Sequence, residues 1–386
     1  MIKDVFSIFY VDPMSYNNLA VYDYNLLSRI VQGKVYFFGN NKYSLKKCTN
    51  YWYPVFNYSQ KKMVLSKAIS YSLSLLQIFN LVLKIKPDVI HIQWIRLFLI
   101  DWLYISLFKK FSKVVYTAHN ILPHTCKPFD KKLYKIIYHT VDSIIVHTYD
   151  SKMELMKYFH VDENKIYVIP HGLLKYNMDE EKILLAKDHF NEKYDTNNKI
   201  VIVSLGVQSF YKGSDIIAQS WIENESLHSN MNLKLLIFGK NQNIDFSKLN
   251  KFTNVHIENR FLTDEEFIAV LNLSDIILLP YRKISQSGVL LTALSERVPV
   301  IISDIAGLKE AISIADIGWN IGEPTSKNLS ETLLDLIQNS DHLLKKKNND
   351  EEWKKIEDYY DWDSIAFKTY RLYNQVCNKN IKPSLE

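Results

Sequence analysis

Short apolar, β-branched runs alternate with amphipathic stretches along almost the whole chain. In the first half the apolar runs occupy residues 5–11, 34–40, 88–94, 113–120, 143–148 and 165–172. Runs such as "DVIHIQW" and "SIIVHT" lack a polar face, the mark of strands covered on both sides in a parallel sheet. Helical patterns near 16–31, 63–85, 95–111, 128–140 and 149–160 separate them. A polar, charged stretch at 175–199 reads as a linker, and a second series follows it. Its strands are predicted at 200–207, 234–240, 255–262, 275–281 and 298–304, with helices near 213–223, 263–273, 288–297, 306–314 and 326–340. Two successive βαβ series predict an α/β fold of two doubly wound domains facing an interdomain cleft. The length of 386 residues agrees, being too great for one core.

Composition narrows the class. With 47% hydrophobic and 23% charged residues the chain is globular. Three dispersed cysteines (Cys48, Cys126, Cys377) form neither a disulfide framework nor a zinc spacing, which points to a reducing cytoplasm. Asp4 interrupts the apolar N-terminus, so that segment reads as a first strand rather than a signal peptide. No window of ~18 uncharged apolar residues is expected to span a membrane.

The net charge of +5 is mild, but its distribution is uneven. Residues 61–113 hold nine Lys/Arg against Asp88 and Asp101, interleaved with Trp, Phe and Leu. Two readings stand: core-packed helices with solvated lysines, or a surface that docks on an anionic membrane leaflet. No nucleic-acid motif accompanies the charge, so nucleic acid is not an expected partner.

Ligands of doubly wound sheets bind beyond the carboxyl ends of the strands. After the strand at 200–207 comes "GVQSFYKGSD", in which Gly206 permits a tight turn and Lys212 brings a mobile cation beside a helix start. After 275–281 comes "SQSGVLLTAL", with Ser285, Gln286, Ser287, Gly288 and Val289 at another helix N-terminus, a place suited to an anion. The Walker glycine spacing is absent, which excludes a P-loop nucleotidase. In the first half, "TAHNILPH" places His119 and Asn120 at a strand end, His124 reads as a loop residue, and "IPHG" places His171 and Gly172 at another strand end. Gly172 is expected to make a turn.

Taken in order, "TAHNILPH", "IIVHTYDSKMELMKYF", "KIYVIPHG", "SLGVQSFYKGSD", "LLIFGK", "NRFLTDEEFIAVLNLSDIILLPYR" and "SQSGVLLTALSERVPVIISDIAGLKEAI" resemble the family-four glycosyltransferases of GT-B fold, over about residues 88–340. "YYDWDSIAFKTYRLYNQV" resembles their terminal helix. The resemblance implies Rossmann-like domains at 1–175 (acceptor side) and 200–358 (nucleotide-sugar side), with 359–386 crossing back to the first. It implies hexosyl transfer from a UDP- or GDP-sugar, GDP-mannose included, to a glycan or lipid-linked acceptor in exopolysaccharide assembly. Neither a catalytic metal nor a cofactor is required, and the setting is the cytoplasmic face of the plasma membrane.

By the same resemblance, Lys212 and the N–H groups of Ser287, Gly288 and Val289 bind the donor diphosphate, and Gly206 and Ser209 of the lysine's loop are expected beside it. His119 contacts the donor sugar, and Asn120, His171, Gly172, Gln286 and Thr292 line the nucleoside and sugar subsites. Ser209 stands where the family carries an arginine. Ile284 and Thr292 stand where it carries two glutamates; Thr292 keeps a hydroxyl for a ribose, and Glu296 lies one helical turn on. An inverting variant needs a carboxylate base in the first domain, for which Asp12 is the candidate, the alternative being an Asx-turn before Pro13. Other functions in view are a nonhydrolysing sugar-nucleotide epimerase and a non-catalytic sugar-nucleotide or glycan binder.

Overall fold

Among the described residues every strand lies in one of two all-parallel sheets, as expected for runs apolar on both faces. The computed structural model describes residues 6–15, 20–30, 33–40, 49–57, 64–122, 129–175 and 178–377. Lys61, Lys62, Cys48, Cys126 and His124 lie outside the described residues. The chain divides into one unit of residues 1–172 and 360–386 and a second of residues 173–359.

The first unit runs β1 (Ser7–Val11), α1 (Ala20–Leu27), β2 (Lys34–Asn40), β3 (Tyr51–Phe56), α2 (Val64–Ile85), β4 (Val89–Ile92), α3 (Phe98–Phe108) and β5 (Lys113–Thr117). It continues through α4 (Asp130–Thr140), β6 (Ser143–Val146), α5 (Tyr149–Phe159) and β7 (Ile166–Val168). Its sheet order is β3-β2-β1-β4-β5-β6-β7. Chain order reverses direction at β1, between β2 and β4, so the crevice of this sheet opens beyond Val11 and Ile92. Phe9, Ile90, Val114 and Ile144 face one core cluster, and Ile8, Val89, Val115 and Ile145 face the other.

The second unit runs α6 (Glu180–Tyr194), β8 (Ile200–Leu205), α7 (Ser214–Glu223), α8 (Glu225–His228), β9 (Leu233–Phe238), β10 (Val255–Glu258), α9 (Asp264–Leu273) and β11 (Ile276–Leu279). Then come α10 (Gly288–Ser295), β12 (Val300–Ile302), α11 (Ala306–Ile314), β13 (Gly318–Asn320), α12 (Ser326–Gln338), α13 (Ser340–Lys347) and α14 (Asp350–Tyr359). Its sheet order is β10-β9-β8-β11-β12-β13, with the reversal between β8 and β11. The last helix, α15 (Trp362–Val376), belongs to the first unit, where it packs on α1 and Arg29 pairs with Asp363.

Three departures from the sequence pattern have local causes. The 175–199 stretch is no linker: Asp179 caps α6, and Phe190 and Tyr194, one turn apart, bury their rings against Phe238. The helix also packs along α9, so a largely charged stretch is held on the second unit. Strand β3 carries Pro54, which only an edge position tolerates, and β3 is the edge of its sheet. Helix α2 has the length and hydropathy of a span over Ser66–Ile85, where none is expected from the sequence. It lies in the crossover between two strands of one sheet, with Tyr71, Leu75, Ile78 and Val82 in the core, so it covers that sheet.

Candidate functional site

The loops beyond β8 and β11 converge at the crevice of the second sheet. Gly206, at φ +94°, ends β8 in a conformation open to glycine, and a Cβ there would lie 2.9 Å from Lys212 Nζ. Nζ of Lys212 thus rests against bare backbone, 5.2 Å over the Tyr281 ring. Among the described residues no carboxylate pairs with it.

The turn that carries Lys212 is held from several sides. Arg282 N–H donates to the Tyr211 carbonyl (2.8 Å), and its guanidinium forks onto Asp215 (2.7 Å for each bond) and stacks on Phe210. The Ser209 N–H donates to Ser214 Oγ, which donates to Gln208 Oε1. Two buried hydroxyls here, Ser209 Oγ and Tyr281 OH, have no hydrogen-bond partner among the described residues. Orphaned buried polar atoms at a sheet's switch point are what a polar ligand would satisfy.

On the facing loop Ser287 caps α10, its Oγ accepting from Leu290 N–H, and Gly288 and Val289 open the helix with their N–H groups. Gln286 precedes the cap and is half-buried. Thr292 is 1% exposed and its hydroxyl donates to the Gly288 carbonyl, so it is committed to the helix rather than presented to a ribose. Burial raises the carboxyl of Glu296 at the C-terminus of α10. An ammonium, two free hydroxyls and a helix N-terminus form a set of donors for a diphosphate.

In the first unit Asp12 follows β1 at the sheet reversal. Its Oδ1 accepts from Met14 N–H (2.6 Å), the Asx-turn anticipated as the alternative to a base. It also meets Asp23 of α1, and Tyr10 OH donates to Asp23 Oδ1 (2.8 Å). Burial, opposed by hydrogen bonds, lifts the Asp12 carboxyl to about 6. Burial and the Asp12 charge lift Asp23 well above the usual carboxylate range. Asp23 carries no sequence signal, since nothing local ties position 12 to position 23.

His119 and Asn120 lie just past β5, both half-buried. Both ring nitrogens of His119 are engaged, with Gln93 (2.8 Å) and with His147 (3.1 Å). His171 bonds the Gly172 carbonyl through Nδ1 (2.9 Å). Gly172 serves close approach rather than a turn: a Cβ there would collide with the Trp362 indole of α15. Burial depresses His91 and His147 to about 3 and His171 to about 4, and holds His119 well below its ordinary value. Gln93, Trp94, His91 and His147 join this cluster without having been marked in sequence, because lone polar residues in apolar strands read as core.

The carboxyl pair sets a pH-dependent stability. A carboxyl raised in the folded state stabilises fully below its unfolded value and loses that contribution as pH rises through the folded value. For Asp12, a rise from 3.8 to about 6 corresponds to ~3 kcal/mol at most. Asp23→Asn keeps the bond from Tyr10, offers an N–H to Asp12 and removes one charge. The variant is therefore expected to gain stability over the parent as pH rises from about 5 to about 8, and little at the acid end. Urea titrations across that range check this; parallel curves for the two proteins would refute the shared-proton pair. Asp101 (about 7) and the histidines titrate in both proteins, so their contributions cancel in the comparison.

Helices α2 and α3 pack together in the first unit and leave an apolar stripe outside. Ile69, Leu73, Leu76 and Leu83 follow one face of α2; Leu99, Trp102 and Leu103 follow one face of α3. Both helices return to strand N-termini, and Val89 pairs with Lys113, so Lys84, Lys86, Lys109, Lys110 and Lys113 form an exposed basic rim at one end.

Residues 49–173 match Glycosyltransferase Family 4, and residues 198–339 match Glycosyl transferases group 1. No curated protein matches the chain in sequence. Among solved structures, a glycosyltransferase from Rickettsia africae superposes with TM-score 0.70 at 16% identity, over 98% of this chain and 100% of that one. Sucrose-phosphate synthase from Thermosynechococcus elongatus gives 0.72 at 14%, over 97% and 100%. Anabaena HepE in complex with UDP-glucose gives 0.71 at 12%, over 96% and 99%. Two parallel-sheet α/β units, both family matches and these GT-B neighbours agree: the chain belongs to the family 4, group 1 glycosyltransferases.

Proposed function

We propose that the chain transfers a hexosyl unit from a UDP- or GDP-sugar, GDP-mannose among the candidates, to a glycan or lipid-linked acceptor in surface polysaccharide synthesis. The observation that carries this reading is Lys212 Nζ lying on Gly206 and Tyr281 without a counter-ion among the described residues, beside the orphaned Ser209 and Tyr281 hydroxyls. Charge grows on the leaving diphosphate as the glycosidic bond breaks, and preplaced donors stabilise it without a metal. Ser209, Ser287, Gly288 and Val289 complete the cradle, with Gln286 next to them in sequence, and in the first unit His119, Asn120, His171 and Gly172 are the residues assigned to the donor's sugar and nucleoside. Because HepE was solved with UDP-glucose, that donor is the first probe. Incubation of radiolabelled UDP-glucose or GDP-mannose with the protein and a bacterial lipid extract should move label into the lipid fraction. Label that stays in the nucleotide sugar across the panel of UDP- and GDP-sugars would refute the reading.

The acceptor side is membrane-bound in this reading, with the protein peripheral on the cytoplasmic face. The apolar stripe of α2 and α3 enters the headgroup boundary while the lysine rim meets lipid phosphates. Co-sedimentation with phosphatidylcholine vesicles should rise ~10-fold or more when phosphatidylglycerol is included, since each basic residue near the surface adds about 1 kcal/mol. A combined Leu73→Glu/Leu76→Glu change should abolish the rise without altering the melting temperature. Equal sedimentation of parent and variant would refute docking through this face.

A further inference from the structure

A chain of polar side chains crosses the first unit at the strand ends, from α15 to the end of β7. Tyr373 OH lies 2.6 Å from His91 Nδ1. His91 Nε2 lies 2.7 Å from Thr117 Oγ1 and 3.0 Å from the Gln93 amide. The other end of that amide lies 2.8 Å from His119 Nε2. His119 Nδ1 lies 3.1 Å from His147 Nε2, and His147 Nδ1 lies 2.9 Å from the Ile169 carbonyl. His91, Gln93 and Thr117 are fully buried, so an unmatched pair here is costly.

The carbonyl at the far end fixes every proton. Ile169 O only accepts, so His147 carries its proton on Nδ1. A neutral His147 then accepts at Nε2, so His119 donates from Nδ1. The structure places Gln93 Oε1 toward His119 and Nε2 toward His91. A neutral His119 accepts at Nε2, so the amide is assigned in the flipped orientation of the same shape, with its NH2 toward His119 and its carbonyl toward His91. His91 therefore donates from Nε2 to Gln93 and Thr117, and accepts from Tyr373 OH at Nδ1. With the imidazole rings oriented as they are, this is the one arrangement that satisfies all these contacts with every ring neutral. Burial supports neutrality, holding the histidine rings far below their ordinary values.

We propose that Gln93 and His147 are positioning residues that hold His119 as a neutral imidazole with its proton on Nδ1. The ring is fixed in the plane as well: it stacks on Trp94 (4.5 Å, 12°) and meets the Tyr22 ring edge-on (5.2 Å). His119 then acts in sugar transfer by shape and orientation and exchanges no proton with substrate. Only this functional consequence rests on the proposed transferase reading.

Long-range ¹H–¹⁵N correlation spectra of the full chain, labelled at histidine, test the proton placement without substrate. His119 and His147 should each show a protonated Nδ1 and a bare Nε2, unchanged from about pH 8 down to about pH 5.5. Gln93→Glu puts an acceptor where the donor stood, so His119 should take a second proton and titrate at least ~2 pH units higher than in the parent. Gln93→Met, which removes the donor without adding charge, should leave the proton on Nδ1 and so controls for damage to the fold. The transfer rate of Gln93→Glu should acquire a pH limb at the new His119 titration, in kcat rather than in the donor KM. A proton on Nε2 of parental His119, titration of that ring near pH 6.5, or an unmoved ring in Gln93→Glu would each overturn the proposal. Failure of sugar transfer in the parent would refute the transferase reading instead, because the spectra need no donor.

Discussion

Lys212→Ala should lower the rate of sugar transfer by ~10²–10³-fold while the protein melts as before, the loss typical of removing one preplaced transition-state donor. The expectation rests on position. Lys212 Nζ lies against the bare Cα of Gly206 and over the Tyr281 ring, at the point where the second sheet reverses. Its ammonium has no partner carboxylate among the described residues, so its removal breaks no ion pair and leaves no buried charge. The Arg282–Asp215 fork and the Ser209–Ser214 bond keep the turn in shape without it. The same variant should lose the thermal stabilisation given by UDP, which at a hundredfold excess over Kd amounts to ~2.7 kcal/mol in the parent. Turnover and stabilisation equal to the parent's would remove Lys212 from the donor site.

Gly239→Ala should unfold the second unit's sheet or come close to it. Gly239 ends β9 at φ +132°, a conformation that L residues rarely adopt. A Cβ there would fall inside the Gly206 carbonyl, backbone against backbone, with no flexible side chain to give way. Strain and collision act together, so a loss of ~4 kcal/mol or more is expected. For a urea slope of about 2 kcal/mol/M this lowers the midpoint by ~2 M. Because Gly206 is the residue displaced, the fraction that still folds should also lose donor binding. A midpoint within error of the parent's would mean that the β8 and β9 ends tolerate separation.

Much of the fold was legible because strand burial is a local property. The runs "IVIVSLGV" and "DIILLPY" are apolar on both faces, and only a covered parallel sheet accommodates them. The loops behind them followed, since glycine, lysine and a Ser-Gly helix start have recognisable local chemistry. Helix α6 escaped because Phe190 and Tyr194 are its only fully buried side chains and its packing on α9 is not visible along the chain. Strand β3 escaped because Pro54 and its aromatics break the pattern that central strands share.

By itself, then, the sequence determined two series of parallel strands, the order of the loops at their ends, and a family resemblance carried by those loops. Tertiary structure alone decided which side chains meet. Arg282 reaches Asp215 across 67 positions, and Tyr373 reaches His91 across 282. Asp23 meets Asp12 only when α1 folds back on β1, and burial together with the Asp12 charge then lifts the Asp23 carboxyl above its ordinary range. Thr292 looked free to bind a ribose until α10 turned its hydroxyl onto Gly288. Backbone preference and apolar patterning act over neighbouring residues and can be read along the chain. Proton placement, charge pairing and orphaned hydroxyls depend on distances that exist only after the sheets have closed.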